Sequence, residues 1–396
     1  MTKSIITAIF AALLVSCAGS PDTQELILGA ARTDEYIPLL EGKKVALFSN
    51  HTGVIPQADG TLRHTLDILL DAGVDVVTIF SPEHGFRGDA DAGETVGSSV
   101  DEQTGVSITS LYGGGFDYND PASFENIDVI ISDIQDVGLR FYTYYVTMSR
   151  LMESAARFGK TFIILDRPNP NSMYVDGPIL DMNLRSGVGR FPIPVVYGMT
   201  LGELGLMANG EGWLDDGLKV ADLHVIPCLG YTHDTRYQLL VAPSPNLKTM
   251  HAVYLYPSLC YFEGTQVSLG RGTESPFEIY GHPEYTGEDP FIFTPESLPG
   301  AKNPPQLGVE CYGRDLREVS DEDIIAAGVD LSYVIDAYDH VEDHEGFFTS
   351  FFEKLIGRDD IRGMIESGMS ADDIKASWAK DIEDFKALRN NYLLYE

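Results

Sequence analysis

The sequence predicts an α/β protein, with a parallel sheet covered by helices and followed by a smaller α+β domain. Short apolar segments alternate with helical patterns through the first half of the chain, and polar loops rich in glycine and proline follow the apolar segments. Continuous apolar segments are typical of strands buried on both faces, as in a parallel sheet. Near Trp213 the alternation ends, and turn-rich loops and acidic helical segments follow. This change of pattern indicates a second domain.

The predicted elements of the first half come in alternating order. Apolar stretches predict strands at residues 45–48, 74–80, 127–131 and 161–165. Leucines that recur on one face predict a helix at 61–72, and a second helix is predicted at 144–158. The apolar stretch 195–198 leads into a third helix. Thr200 is predicted to open that helix because Glu203 follows three residues later, which is the spacing of a capping box.

The second half has fewer regular patterns. It contains an apolar stretch at 220–228, several turn-rich loops and acidic amphipathic helices between 324 and 394. A cleft between the two halves is the natural place for a ligand. Cys228, Cys260 and Cys311 are too widely spaced for a disulfide framework or a zinc knuckle. We therefore expect buried cysteines with at most one disulfide.

The charge of the chain narrows the range of partners. The sequence has 60 acidic and 27 basic residues and a formal net charge of −33. Such a surface repels nucleic acid and anionic lipid head groups, so nucleic acid is not an expected partner. A cationic pocket would have to form against the negative potential of the whole chain. Clustered arginines in such a chain therefore indicate a binding site for an anion.

The N-terminus has the pattern of a targeting segment. Lys3 precedes an apolar stretch at 4–15, which is too short to span a membrane as a helix. Leu14, Val15 and Ser16 then lead to Cys17, a pattern that resembles a bacterial lipoprotein processing box. The resemblance implies a signal peptide at 1–16, acylation of Cys17, a tether at 17–26 and a lipid-anchored protein of the cell envelope, on the periplasmic face or the cell surface. The alternative is an ordinary secretory signal with an incidental cysteine.

The loops after the predicted strands should converge, because ligands bind outside the carboxyl ends of the strands in open α/β sheets. Glu83 and His84 stand in one of these loops, between Pro82 and Gly85. A carboxyl group held near a substrate and shielded from water is suited to general-acid catalysis. The alternative is a structural role, in which Glu83 pairs with Arg87 or caps the following helix.

Other loop residues have the chemistry of sugar hydrolysis and anion binding. Asp133 and Asp166 also follow strands, and glycoside hydrolysis requires a pair of carboxyl groups. The alternative for both is a salt bridge to a nearby arginine. Arginine binds a carboxylate through two parallel hydrogen bonds, so the loop arginines favour a substrate that carries a carboxylate. These arginines are Arg87, Arg140, Arg167 and Arg271. Tyr142 belongs to an aromatic cluster at 141–145 that offers a ring for stacking on a sugar.

Six segments resemble one known family. They are SNHTG at 49–53, SPEHGFRG at 81–88, DIQDVGLRFYTY at 133–144, DRPNP at 166–170, PSPN at 243–246 and SLGRGT at 268–273. The chain is identified from them as similar to the exo-β-N-acetylmuramidase (NamZ-type) family, and the resemblance extends to the closing segment 389–395. It implies a Rossmann-like domain at 27–215, a smaller domain at 216–396 that completes a cleft, and no cofactor or metal.

The resemblance also implies an activity and a set of site residues. The expected reaction is the release of N-acetylmuramic acid from the non-reducing ends of peptidoglycan-derived saccharides, and the family's proposed catalytic glutamate falls on Glu83. The expected catalytic group is Glu83 with His84, Asp133 and Asp166. The expected substrate-binding residues are Asn50, Arg87, Gln135, Arg140, Tyr142, Arg167, Asn169, Asn246, Glu263 and Arg271.

Two other functions remain open at this point. A catalytically silent protein that binds cell-wall fragments would keep the same cleft and loops. A metal-dependent amidase or esterase is a weaker alternative, in which His51, His84 and Asp133 hold the ion. Glu83 and the further carboxylates after the strands favour the hydrolase.

Overall fold

The computed structural model describes residues 25–83, 85–86, 99–113 and 115–396. The predicted signal peptide, Cys17, His84 and Arg87 lie outside these ranges. Within them the chain forms a large, mostly parallel sheet with helices in its first half. A small antiparallel sheet and a group of helices make up the second half.

Nine strands are found in the described part of the first half. In chain order they are β1 Lys44–Ser49, β2 Val54–Pro56, β3 Leu62–His64, β4 Asp75–Ser81, β5 Ser99–Val100, β6 Ser107–Ser110, β7 Val129–Asp133, β8 Thr161–Leu165 and β9 Leu223–Ile226. The main sheet has the order β5-β6-β4-β1-β7-β8-β9, and β2 pairs with β3 in a separate hairpin. Only β5 runs antiparallel to its neighbour in the main sheet, among the strands described.

The six parallel strands follow the Rossmann pattern. Numbered along the chain, they lie in the order 3-2-1-4-5-6, so the strand order reverses between β1 and β7. The prediction of a Rossmann-like parallel sheet is confirmed. The last strand, β9, lies beyond residue 215, so this sheet includes residues on the far side of the predicted division.

The helices cover the sheet and build most of the second half. They are α1 Thr33–Tyr36, α2 Thr65–Asp71, α3 Tyr144–Phe158, α4 Leu201–Glu211, α5 Met250–Leu259, α6 Asp321–Ala327, α7 Ser332–His340, α8 Phe351–Ile356, α9 Ile361–Glu366, α10 Ala371–Ala376 and α11 Ala379–Arg389. The small antiparallel sheet has the order β10-β12-β11, with β10 Ile279–His282, β11 Phe291–Phe293 and β12 Cys311–Asp315.

Several predicted elements agree with the structure residue for residue. Helix α3 and strand β8 have the predicted bounds, and the capping box of α4 is formed. Thr200 Oγ1 accepts a hydrogen bond from the Glu203 amide at 3.2 Å, and the Glu203 carboxylate accepts one from the Thr200 amide at 2.9 Å. The helix predicted at 61–72 begins only at Thr65, because Leu62–His64 pairs with Val54–Pro56 as a hairpin.

The two halves share a hydrophobic core. One cluster of buried side chains extends from Phe48 and Phe162 in the main sheet to Phe352 and Trp378 in the C-terminal helices. A second cluster covers the other face of the sheet. The two halves are therefore held in a fixed relative position, because close-packed interiors deform little.

The structure shows the state of the cysteines and the character of the helices. Cys228, Cys260 and Cys311 are buried, as predicted, and all three are free thiols, which is compatible with the expectation of at most one disulfide. Across the described ranges, no helix combines the length and the apolar character needed to cross a bilayer.

Candidate active site

A cavity of about 270 Å³ lies where the loops after β4 and β7 meet the second half of the chain. Glu83 and Thr143 enter it from the first half, and Glu263, Arg271 and Phe277 enter it from the second. Ligand pockets in proteins begin at about this size and carry a few polar groups in a largely apolar lining. The other residues of the lining are Tyr112, Phe141, Tyr142, Tyr144, Val188, Ser244, Leu247, Tyr256 and Phe351.

Glu83 is half-buried in the wall of this cavity, two residues after the end of β4. Its Oε2 accepts a hydrogen bond of 2.9 Å from the Oγ1 of Thr143, the residue that immediately precedes α3. Burial raises the pKa of Tyr112 to about 12, and the negative charge of Glu83 contributes to that increase. Tyr112 therefore stays protonated at neutral pH, and its hydroxyl donates a hydrogen bond to Glu83.

The aromatic rings of the cavity are fixed by hydrogen bonds across the two halves. The hydroxyl groups of Tyr142 and Tyr144 both donate to the carbonyl of Pro243, at 2.9 and 3.1 Å. Asn50 Nδ2 in turn donates to the Tyr144 hydroxyl at 2.8 Å. The structure thus places Tyr142 in the cavity lining and Asn50 behind Tyr144.

Glu263 and Arg271 form an ion pair in the cavity lining. Arg271 Nη2 donates to Glu263 Oε1 at 2.6 Å, and the side chains remain 18% and 26% exposed. Although burial opposes it, the charge of Glu263 raises the pKa of Arg271 above its usual value. The guanidinium group also lies over the ring of Phe277, 5.0 Å from its centre. This arrangement directs a permanent positive charge into an aromatic pocket.

Phe277 holds an unusual backbone conformation at this wall. Its φ of 63° lies in the left-handed region, which bulky residues rarely adopt. The ring packs edge-on against Tyr256, with centres 4.7 Å apart, while Arg271 lies over it. Strain of this kind costs on the order of 1–3 kcal/mol and is concentrated at functional sites.

Three of the expected site residues are tied into buried structure. Arg140 has no exposed surface and donates to the carbonyls of Pro178, Ile193, Leu355 and Ile356, which joins the two halves. Burial lowers its pKa to about 10. Asp133 is fully buried and is held by Arg167 through two hydrogen bonds of 2.6 and 3.0 Å.

Asp166 is also fully buried, outside the cavity lining. Its carboxylate accepts hydrogen bonds from Thr200 at 2.6 Å, the Gly202 amide at 2.8 Å and Tyr395 at 2.6 Å. Burial raises its pKa to about 6. These contacts hold the start of α4 and the C-terminal segment together.

The expected amide ligands are likewise bonded to backbone. Gln135 donates to the carbonyls of Asp136 and Pro168, both at 2.8 Å. Asn169 donates to Met199, and Asn246 donates to Gly300. None of these three lines the cavity among the residues described. Of the expected site residues, the structure brings Glu83, Tyr142, Glu263 and Arg271 together.

The described residues hold no group of three or more His, Cys, Asp or Glu side chains arranged to bind a metal ion. His51 Nε2 lies 2.8 Å from the carbonyl of Ala242. Asp133 is engaged by Arg167, as described above, and His84 lies outside the described ranges.

Comparison with known proteins identifies the family. The family model for the N-terminal domain of exo-β-N-acetylmuramidase NamZ matches residues 45–251, and the model for its C-terminal domain matches residues 254–395. The chain belongs to the NamZ family. The junction of the two models lies beyond the end of β9, so the whole Rossmann-like sheet falls within the N-terminal match.

A relative and two solved structures extend this result. The chain is 38% identical over 381 residues to the peptidoglycan β-N-acetylmuramidase NamZ of Bacillus subtilis (strain 168), covering 91% of this chain and 89% of that protein. Two DUF1343 family proteins from Bacteroides fragilis NCTC 9343 share the fold, with TM-scores of 0.86 and 0.77 and identities of 54% and 29%. Each alignment covers 94% of this chain and 99% of the solved chain.

For this NamZ family member, sequence reasoning missed several residues of the cavity. Tyr112, Tyr256 and Phe351 line it but stand in no polar loop motif that the sequence makes conspicuous. Thr143 lies inside a motif that carries the family resemblance, yet its bond to Glu83 joins residues 60 positions apart. The position of ligands at the carboxyl ends of the strands predicts which loops converge. It does not predict which side chains of those loops face the ligand.

Proposed function

We propose that the protein is an exo-acting glycoside hydrolase that releases N-acetylmuramic acid from the non-reducing ends of peptidoglycan fragments, with Glu83 as the general acid. The observation that carries the proposal is the position of Glu83. It is a half-buried carboxyl group in the wall of an aromatic cavity, in a chain whose two halves both match the NamZ family.

The surroundings of Glu83 fix its side chain in the wall of the cavity. Thr143 and Tyr112 hold the side chain by hydrogen bonds, so the carboxyl group has a defined direction. General-acid catalysis requires a donor within hydrogen-bond reach of the leaving oxygen, and a fixed side chain meets that need without reorganisation. The aromatic rings around it offer apolar faces on which a sugar can stack.

Arg271 is the residue that we propose binds the negative charge of the substrate. Muramic acid differs from glucosamine by a lactyl group that ends in a carboxylate, and a guanidinium group can bind a carboxylate through parallel hydrogen bonds. Within the described residues, Arg271 is the arginine of the cavity lining, and it donates one hydrogen bond to them, through Nη2. Its remaining N–H groups are therefore available for a ligand.

The test of Glu83 uses two substrates that differ in the leaving group. Glu83→Gln keeps the shape of the side chain but cannot donate the proton. We expect kcat/KM to fall by roughly 10² to 10⁴ on a muramic-acid-terminated disaccharide, because a sugar hydroxyl is a poor leaving group. The loss on a nitrophenyl N-acetylmuramide should be clearly smaller, because nitrophenolate departs without a proton.

Both rates are compared with the wild type, and thermal melting checks that the variant folds. Equal and severe losses on both substrates in a folded Glu83→Gln protein would contradict the general-acid role. A wild-type protein that binds the disaccharide without cleaving it would contradict the enzymatic proposal and favour a binding protein.

We further propose that the protein is lipid-anchored in the cell envelope through Cys17. The support is the segment 14–17, which resembles a lipoprotein processing box after a short apolar stretch. Cys17→Ala should block acylation, so the protein should leave the membrane fraction or accumulate unprocessed. Fractionation of cells that express each form measures this. An unchanged distribution of a correctly processed Cys17→Ala protein would rule out the anchor.

A further inference from the structure

Hydrolysis of a glycosidic bond normally uses two carboxyl groups, and Glu83 supplies one of them in the proposed function, on which this inference rests. The second group has to reach the same sugar. Asp133 and Asp166 have no exposed surface and lie outside the cavity lining, with their oxygens bonded to Arg167, Thr65, Thr200 and Tyr395. Neither can approach a substrate unless the core opens.

Glu263 is the other carboxylate of the cavity lining, among the residues that the structure describes. It belongs to the turn of helix Cys260–Gly264 in the second half of the chain, whereas Glu83 follows β4 in the first half. The two carboxyl groups therefore enter one cavity from the two different domains. Glycosidases place their two carboxyl groups on either side of the bond that is cut.

The ion pair with Arg271 holds Glu263 in a defined orientation. A guanidinium group that binds one oxygen of a carboxylate leaves the other oxygen to approach an attacking water, as a base must. The pair uses Oε1 of Glu263, and Oε2 makes no hydrogen bond with the described residues. With 26% of the side chain exposed, water can reach that oxygen.

We propose that Glu263 is the catalytic base of the reaction. Oε2 of Glu263 takes a proton from a water molecule as the water oxygen bonds to the anomeric carbon. The bond from that carbon to the leaving oxygen breaks, and the leaving oxygen takes the proton of Glu83. The charges and protons balance, and the configuration at the anomeric carbon is inverted.

In this mechanism Arg271 has two partners. Nη2 holds the base, and the remaining N–H groups face the substrate carboxylate assigned to them above. One guanidinium group then connects recognition of the lactyl carboxylate with the position of the catalytic base. A sugar without the carboxylate would bind the pocket without a contact to Arg271, so it would not engage the residue that holds the base.

The first test is Glu263→Gln, measured on the same two substrates as Glu83→Gln. The base acts on water, so the fall in rate when the base is removed does not depend on the leaving group. We expect kcat to fall by roughly 10² to 10⁴ on both the disaccharide and the nitrophenyl N-acetylmuramide, the usual size of a general-base contribution. This pattern differs from the selective loss expected for Glu83→Gln.

Glu153→Gln is the matched control. Glu153 pairs with Arg190 at the same distance of 2.6 Å and lies outside the cavity lining. Removing this charge breaks a similar ion pair away from the cavity. Both rates should therefore stay within about twofold of the wild type. If Glu263→Gln melts early, Glu263→Asp keeps the charge opposite Arg271 and moves the base back by one methylene. That variant should lose activity by at least tenfold with a melting temperature near the wild type.

Azide and product analysis complete the test. Sodium azide needs no base, so it should restore turnover of the nitrophenyl substrate by Glu263→Ala and yield the glycosyl azide. NMR of the wild-type reaction should show the α-anomer of N-acetylmuramic acid as the first product. A folded Glu263→Gln enzyme with more than a tenth of wild-type kcat, no rescue by azide, or a β-anomer as first product would each overturn the base assignment. Failure of the wild type to release N-acetylmuramic acid would instead refute the proposed function.

Discussion

Two arginine–carboxylate pairs with the same shortest distance have different surroundings in this protein. Arg167–Asp133 and Arg271–Glu263 both have an N–O separation of 2.6 Å. The first pair is 3% and 0% exposed and makes two parallel hydrogen bonds, while the second is 18% and 26% exposed and makes one. A pair that satisfies its donors internally holds the fold, whereas a pair with unused donors beside a cavity can bind a ligand.

The surroundings explain why the two pairs differ. Asp133 ends β7 beside the point where strand order reverses, and Thr65 also donates to its carboxylate. Arg167 further donates to the carbonyl of Val54 at 3.0 Å. This pair therefore joins β7, the loop after β8 and the hairpin. In the described structure the hydrogen bond of Arg271 goes to Glu263, and its guanidinium group lies over Phe277, both in its own domain.

The largest expected effect comes from breaking the buried pair. Arg167→Ala leaves the Asp133 carboxylate charged and without its cation in the core. Removing one partner of a buried ion pair typically costs about 3–5 kcal/mol. Urea denaturation should show this loss in the free energy of unfolding. A double variant, Arg167→Met with Asp133→Leu, should recover part of the stability, and an Arg167→Ala protein as stable as the wild type would show that the pair is not structural.

Breaking the pair at the cavity should affect selectivity more than stability. Arg271→Ala removes the proposed partner of the lactyl carboxylate, which should cost about 2–3 kcal/mol of transition-state binding. The ratio of kcat/KM for the nitrophenyl muramide over the nitrophenyl N-acetylglucosaminide should therefore fall by roughly 30- to 150-fold. Arg271→Lys keeps the charge and should lose less. An unchanged ratio in folded Arg271→Ala would mean that another group reads the carboxylate.

An effect that depends on pH should come from Asp136, which is buried three residues after Asp133 but has no arginine partner in the described structure. Burial raises its pKa to about 7, and its Oδ2 has no hydrogen bond. The folded pKa lies above the unfolded value of about 3.9, so folding binds a proton between these values and stability falls as pH rises through that window.

Asp136→Asn removes the buried charge, so the variant should gain stability relative to the wild type as pH rises from 4 to 8. A shift from about 3.9 to about 7 corresponds to roughly 4 kcal/mol between the protonated and the ionised limits, which is the upper bound of this gain. Melting temperatures of both proteins across this range measure it. A constant difference between the two proteins at all pH values would contradict the raised pKa.

The fold class and most of the elements that build it can be predicted from the sequence. Buried strands such as Thr161–Leu165 are continuous apolar runs, and the capping box of α4 is a local pattern of two residues. Such signals depend on neighbours in the chain, so they survive without tertiary information. The local pattern failed at Leu62–His64, because hairpin pairing with Val54–Pro56 outweighed the helical spacing of the leucines.

Which polar loop residues face the cavity depends on the tertiary structure. Arg140, Arg167 and Arg271 all stand in conspicuous loops, yet four backbone carbonyls surround the first and Asp133 neutralises the second. Contacts such as Arg140 with Leu355 join residues 215 positions apart. Whether a side chain is buried and bonded or remains open to a ligand depends on packing between distant segments. Local sequence carries no record of that packing.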